Sequence, residues 1–328
     1  MNYKWKFKDY PQEKNEYTVF SCFSCGGGST MGYKLAGFDV IGNCEIDKKI
    51  NKVYVNNHHP EFNYECPVID LIDRKLPDEL YNLDILDGSP PCSAFSMAGL
   101  RESVWGKKKK FSEGQEEQIL DRLFFDFINL VDKLQPKIVI SENVVGITLG
   151  KAKKYIEEIY KSFDKAGYHT THYILDSSLM GVPQKRKRVF FISYRKNLKF
   201  NNMTSDLFGN KYKNISMKFN EVVIPVSKFI TYKERGKNAN YLIKRFGDVV
   251  VNENLPLSTI TTRTRFWNQN KDKFLSDESV ILASTFPIDY NFGKVPIMYL
   301  TGMSVPPLMM YNIAKRIKRE LLDEIILK

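Results

Sequence analysis

From residue 17 to about residue 195, short β-branched runs alternate with longer helical stretches, which is the pattern of a doubly wound α/β sheet. It predicts strands at 18–22, 40–45, 84–87, 138–141 and 189–193. Within 120–134, Phe124, Phe127, Ile128, Val131 and Leu134 recur at helical spacing and should face that sheet. A second helix should begin near Lys153 and stop at Gly167. Past Lys196 the periodicity weakens, and no helix is predicted there. Order returns where Pro306-Pro307 introduces an amphipathic pattern over 308–327, since proline suits the first turn of a helix.

Charge divides the chain in the same place. Lys and Arg total 49 against 38 acidic residues, a formal charge of +11, which favours a polyanionic partner such as nucleic acid or an acidic membrane surface. Residues 196–276 hold 15 of the basic and 6 of the acidic residues, so most of the excess lies there. Aromatics are interleaved with these bases, among them Phe200, Phe219, Phe229, Tyr232, Tyr241, Phe266 and Trp267. The segment reads as a separate nucleic-acid-facing module, or else as a solvated basic face over an ordinary aromatic core. No uninterrupted apolar run reaches roughly 18 residues, so no membrane-spanning helix is expected. Five cysteines, an odd number, argue against a disulfide framework and for a reducing compartment. Residues 1–17 carry charges throughout and lack an apolar stretch, so they are not expected to be a secretory signal; the expected location is cytoplasmic.

Three motifs carry chemistry. The first strand runs into FSCGGGSTMG (23–32), a strand, glycine turn and helix start that lets backbone approach a nucleotide-like ligand. Its glycines do not follow G-x-G-x-x-G and no Lys-Ser/Thr follows, which excludes a dinucleotide fingerprint and a P-loop. Glu45, ending the next strand, stands where an acid meets ribose hydroxyls. Together these fit an adenosine-containing ligand without pyrophosphate, such as S-adenosylmethionine. In LDILDGSPPCSAFS (83–96), Pro90 and Pro91 restrict the backbone before Cys92 at a strand's carboxyl end, a setting that suits a nucleophile. The third group is Glu142-Asn143-Val144 with PQKRKRVFFI (183–192), whose alternation sends Gln184, Arg186 and Arg188 to one face. Cys22 and Cys25 form a C-x-x-C pair, but no second properly spaced pair accompanies it, so no metal is expected.

In this order, with LPLSTITTR and TGMSVPP after the basic segment, the motifs make the chain resemble the cytosine-5 DNA methyltransferases of restriction-modification systems, from about residue 17 to residue 317. The resemblance implies a Rossmann-like methyltransferase fold with a smaller target-recognition domain. Residues 1–195 would be the catalytic and cofactor-binding domain. Residues 196–276 (core about 196–255) would recognise the target, and 277–328 would return to the catalytic domain. It further implies that Cys92 attacks carbon 6 of a flipped-out cytosine in double-stranded DNA. Glu142 would protonate ring nitrogen 3 and Arg188 would contact the base oxygen, with Arg186 in the same catalytic group. S-adenosylmethionine would be held by Phe23, Ser24, Gly26, Gly28, Glu45, Ile46, Asp70, Leu71, Pro91, Leu123, Ser304 and Val305. Lys107, Lys108, Lys109 and Lys110, with Lys233, Arg235 and Lys237, would face DNA. The implied state is a monomer, with a cognate restriction endonuclease as a functional partner. Cys25 and Met303 depart from the family, which usually has glycine and asparagine there. The related methylation of cytosine in transfer RNA, and a catalytically silent DNA-binding relative, are the alternatives to this reading.

Overall fold

The computed structural model describes residues 2–91, 122–205, 211–233 and 248–326. In chain order its first half runs β1 (Thr18–Cys22), α1 (Gly28–Leu35), β2 (Asp39–Cys44), α2 (Lys48–His58), β3 (Phe62–Tyr64), α3 (Asp70–Asp73), α4 (Asp78–Tyr81) and β4 (Ile85–Gly88). There follow α5 (Leu123–Leu134), β5 (Ile138–Val144), α6 (Lys153–Lys165), β6 (Tyr168–Asp176), β7 (Gln184–Lys185) and β8 (Lys187–Arg195). Seven strands form one sheet in the order β3-β2-β1-β4-β5-β8-β6. β3 through β5 are parallel, while β8 runs antiparallel between β5 and β6.

Consecutive residues of each central strand go to opposite faces, which is why these strands read as continuous apolar runs. Val19, Val40, Ile85, Ile138 and Phe190 join the core under α1 and the last helix. Their neighbours Phe20, Ile41, Leu86, Val139 and Phe191 join the core under α5 and α6. The periodic residues of α5 are all buried in that second core, each apolar side chain contributing about 1.5–3 kcal/mol. α6 is followed by Gly167 at φ +91, the predicted stop.

Both edge strands, β3 and β6, escape the sequence pattern. β6 carries Thr, His and Tyr with most residues half-buried, so no clean alternation marks it. β5 is longer than predicted, because β8 pairs along it as far as Val144 opposite Arg188.

The second half continues through β9 (Thr204–Ser205), β10 (Lys211–Tyr212), β11 (Tyr232–Lys233), β12 (Asp248–Val250), β13 (Leu257–Ser258), β14 (Arg265–Asn268) and β15 (Lys273–Leu275). It ends with α7 (Asp277–Ala283), α8 (Ile297–Met303) and α9 (Pro307–Glu320). A small sheet in the order β11-β15-β14-β12 packs with α7 around Val226, Phe229, Phe266, Leu275, Val280 and Leu282. Packing therefore divides the chain differently from charge. Phe200, Ile215 and Met217 belong to the large core, and residues of α7 belong to the small one. Three aromatics counted toward a nucleic-acid surface, Phe200, Phe229 and Phe266, are core residues: Phe200 packs in the large core, and the other two supply the apolar mass that the small sheet needs.

α9 ends at Glu320 rather than near residue 327. The chain leaves the helix to bury Leu321 and Leu322, and Phe200 then pairs with Ile325 while the Ile326 N–H donates to the Lys199 carbonyl (2.9 Å). Such a partner is far away in sequence and leaves no trace in helical periodicity.

Asp87, on β4, is a buried acid inside this frame. Its carboxylate accepts the hydroxyls of Ser21 (2.9 Å) and Tyr33 (3.2 Å), yet burial pushes its pKa up to about 7. A folded pKa above the unfolded 3.8 means its stabilising contribution is complete below that value and is lost as pH rises through 7. Melting temperature should therefore fall between about pH 5 and about pH 7, and Asp87→Asn should flatten that fall. Calorimetry at the two pH values checks this; an equal fall in both proteins would show that Asp87 is not the titrating group.

Candidate active site

The parallel strands bring their carboxyl ends to one edge, with the order switching direction between β1 and β4, where open α/β sheets bind ligands. Residues 23–28 follow β1, Glu45 follows β2, Pro90 and Pro91 follow β4, and Glu142 lies near the end of β5. Phe23, Cys25 and Gly27 all have positive φ (51°, 48° and 77°), so the chain turns sharply before α1. The turn is pinned from β2: Asn43 donates to the Ser24 hydroxyl (3.1 Å), and Glu45 accepts the Cys25 N–H (2.8 Å) and the Asp47 N–H (2.9 Å). Glu45 is buried, and burial raises its carboxyl to about 6.

Ser304 and Val305, far away in sequence, close this turn. A Cβ at Gly28 would lie 2.1 Å from the Val305 carbonyl and 3.0 Å from the Ser304 Cβ, so only glycine permits the approach. The Ser304 hydroxyl also contacts the Cys25 thiol at 3.6 Å, and burial pushes that thiol up to about 12. Met303 is 37% exposed, so it packs little against the turn. Phe23 packs against Phe127 of α5, Leu71 and Leu123 are buried, and Ile46 and Pro91 are half-buried. Asp70 opens α3 and pairs loosely with Arg74 at 3.6 Å.

The second cluster lies on β5 and β8. The Arg188 Nε is 3.0 Å from the Glu142 Oε1, an ion-pair contact without hydrogen-bond alignment, so that buried carboxylate oxygen retains hydrogen-bonding capacity. Burial lowers the Arg188 pKa while Glu142 supports its charge. Between the two, Asn143 donates to the Pro90 carbonyl (3.2 Å) and so holds the turn that leads to Cys92. The motif alone gives Asn143 no task; its partner, Pro90, lies 53 residues away in sequence.

Gln184 and Arg186 follow the predicted alternation but face inward. Arg186 is 3% exposed and donates to the carbonyls of Ile260 (3.0 Å) and Gly302 (3.1 Å). Gln184 accepts the Ile260 N–H (3.0 Å) and donates to the Ala283 carbonyl (3.3 Å). These side chains tie three distant segments together, and burial lowers Arg186 to about 9. Lys233 is exposed and paired with Asp277 at 2.8 Å. Cys92, Lys107, Lys108, Lys109, Lys110, Arg235 and Lys237 lie outside the described residues.

Residues 17–234 match the family model described as C-5 cytosine-specific DNA methylase, which is more than half of the chain. The chain belongs to that family. The matched stretch contains the glycine turn, Glu45, Cys92, Glu142 and Arg188; Ser304, Val305 and α9 lie beyond it. The chain is 31% identical over 188 residues to the type II methyltransferase M.NgoPII of Neisseria gonorrhoeae, covering 57% of this chain and 51% of that protein. It is 32% identical over 242 residues to M.Sau96I of Staphylococcus aureus, covering 71% and 51% respectively. The chain thus spans about half the length of the curated relatives it matches. Solved structures extend the likeness in fold over nearly the whole chain. A protein encoded within an E. coli prophage aligns over 94% of this chain and all of its own (TM-score 0.64, 18% identity). The S. pombe Dnmt2 methyltransferase aligns over 92% and 98% (TM-score 0.61, 15% identity). Among the described residues no helix is long and apolar enough to cross a membrane.

Proposed function

We propose that this methylase transfers a methyl group from S-adenosylmethionine to carbon 5 of a cytosine in double-stranded DNA. The observation that carries the reading is the pairing of Glu142 with Arg188 at the strand edge, beside the proline turn that Asn143 pins. Cys92 adds its sulfur to carbon 6 of the base. Glu142 donates a proton to ring nitrogen 3 and Arg188 faces the base oxygen, so charge does not accumulate on the ring during that addition. Loss of the carbon 5 proton after methylation then expels Cys92. The base leaves the helical stack, because neither ring edge is reachable inside a duplex. Arg186 acts at a distance, through the segments that it joins.

The residues at the glycine turn fit the methyl donor. The Glu45 oxygens accept the Cys25 and Asp47 N–H groups, and the acceptor capacity that remains on them suits a ribose hydroxyl. Bound there, S-adenosylmethionine supplies the methyl group. A diol binds the ionised carboxylate better than the neutral acid, so affinity should rise as pH passes 6, where Glu45 ionises. Calorimetric titration with S-adenosylhomocysteine from about pH 5 to about pH 8 should show that rise, and Glu45→Gln should abolish it. A wild-type protein with pH-independent affinity would remove Glu45 from the cofactor contact.

DNA is favoured over transfer RNA by the matching family, whose description is that of a DNA methylase. The same reading makes the protein a cytoplasmic monomer, with a restriction endonuclease as its functional counterpart. Incubation with tritiated S-adenosylmethionine and either duplex DNA or transfer RNA tests it. Label in DNA is expected; label in transfer RNA alone, or in neither, overturns the assignment.

A further inference from the structure

The carbonyl of Gly26, in the middle of the glycine turn, accepts two hydrogen bonds from side chains behind the site. Tyr290 donates its hydroxyl at 2.7 Å, and His58 Nε2 lies at 3.2 Å. A carbonyl can only accept, so Nε2 carries the His58 proton, and the buried Nδ1 is left bare with no partner. Burial pushes His58 down to about 3, so the ring stays neutral and the tautomer is set by Gly26 alone. The ring also fills the space beside the next residue: a Cβ at Gly27 would lie 2.1 Å from His58 Nε2, at a backbone φ of +77°.

Both donors are wedged by the segment ahead of β1. Phe7 stands edge-on to His58 and packs on Tyr290, with ring centroids 6.1 Å apart in each case. Trp5 and Tyr10 close over Phe7, at 6.2 and 5.8 Å. The segment is tied down by three bonds: Trp5 Nε1 to the Thr285 carbonyl (2.8 Å), the Ile288 N–H to the Trp5 carbonyl (3.0 Å), and the Phe7 N–H to Asp289 (3.1 Å). Asp289 adjoins Tyr290, so this strap fixes the residue whose hydroxyl reaches the turn. Neither the strap nor Tyr290 lies within the stretch matched by the family model.

We propose that Tyr290 and His58, braced by the strap from Trp5 to Tyr10, are positioning residues that set the Gly26 peptide plane and preorganise the turn for the methyl donor. This rests on the cofactor reading above. A hydrogen bond to a turn that must otherwise be ordered on binding is worth about threefold to tenfold in affinity.

Tyr290→Phe removes only the hydroxyl and keeps the ring. Its affinity for S-adenosylhomocysteine, measured by calorimetry, should fall about threefold to tenfold, with melting temperature and duplex affinity near wild type. Amide hydrogen exchange in a peptide spanning residues 23–32 should accelerate in the free protein. Phe7→Leu keeps apolar mass but loosens the wedge, and it should shift the same two readouts in the same direction. Wild-type affinity together with wild-type exchange in Tyr290→Phe overturns the positioning role while leaving the cofactor reading intact. A wild-type protein that binds no S-adenosylhomocysteine overturns the cofactor reading, and the proposal with it.

Discussion

Cys92→Ser is expected to abolish methyl transfer while S-adenosylhomocysteine binding stays near the wild-type level. The attack on carbon 6 needs a soft, polarisable nucleophile that reaches its anionic form near neutral pH, and a serine hydroxyl does not. Loss of a nucleophile costs more than about four orders of magnitude in turnover. The cofactor contacts proposed for the glycine turn, Glu45 and Ser304 lie on other elements, so they should survive the change. The adduct itself is the sharper readout. A duplex carrying 5-fluorocytosine has no proton to lose from carbon 5 and should trap the wild-type protein covalently. Trapping of the Cys92→Ser protein would show that another residue is the nucleophile.

Glu142→Gln should lower the single-turnover rate by about two to four orders of magnitude, the usual weight of a positioned general acid. Glutamine has nearly the same shape and can still face Arg188, but it holds no proton that it can transfer to the ring. The side chain lies on a central strand paired on both sides, so the fold should tolerate the substitution. Duplex affinity should change little, because phosphate contacts dominate it. An unaltered rate would take Glu142 out of the mechanism and leave the half-buried pair with Arg188 as a structural one.

The central sheet was legible in the sequence because it is buried on both faces. Residues such as Val19 and Phe20, or Ile138 and Val139, form apolar runs that few other structures would tolerate in series. Edge strands β3 and β6 were not legible, since a half-solvated strand needs neither alternation nor an apolar run. The aromatics of 196–276 allowed two readings for a related reason: a buried ring and a ring awaiting a base have the same composition, and only packing separates Phe229 and Phe266 from a stacking surface.

The sequence by itself determined the chemistry on offer: a cysteine behind two prolines, an acid, an arginine, and a glycine turn with an acid on the next strand. Those are matters of residue type and local backbone, which are written in short stretches of chain. Tertiary structure alone decided which atoms meet. It sends Arg186 to the Ile260 and Gly302 carbonyls while Arg188 faces Glu142, although the two arginines stand in one short motif. It gives Asn143 the Pro90 carbonyl, and it brings Ser304, His58 and Tyr290 onto a turn hundreds of residues from two of them. The physical reason is that an inward-facing donor must find an acceptor or carry the full desolvation cost, and the available acceptors are set by the packing of distant segments.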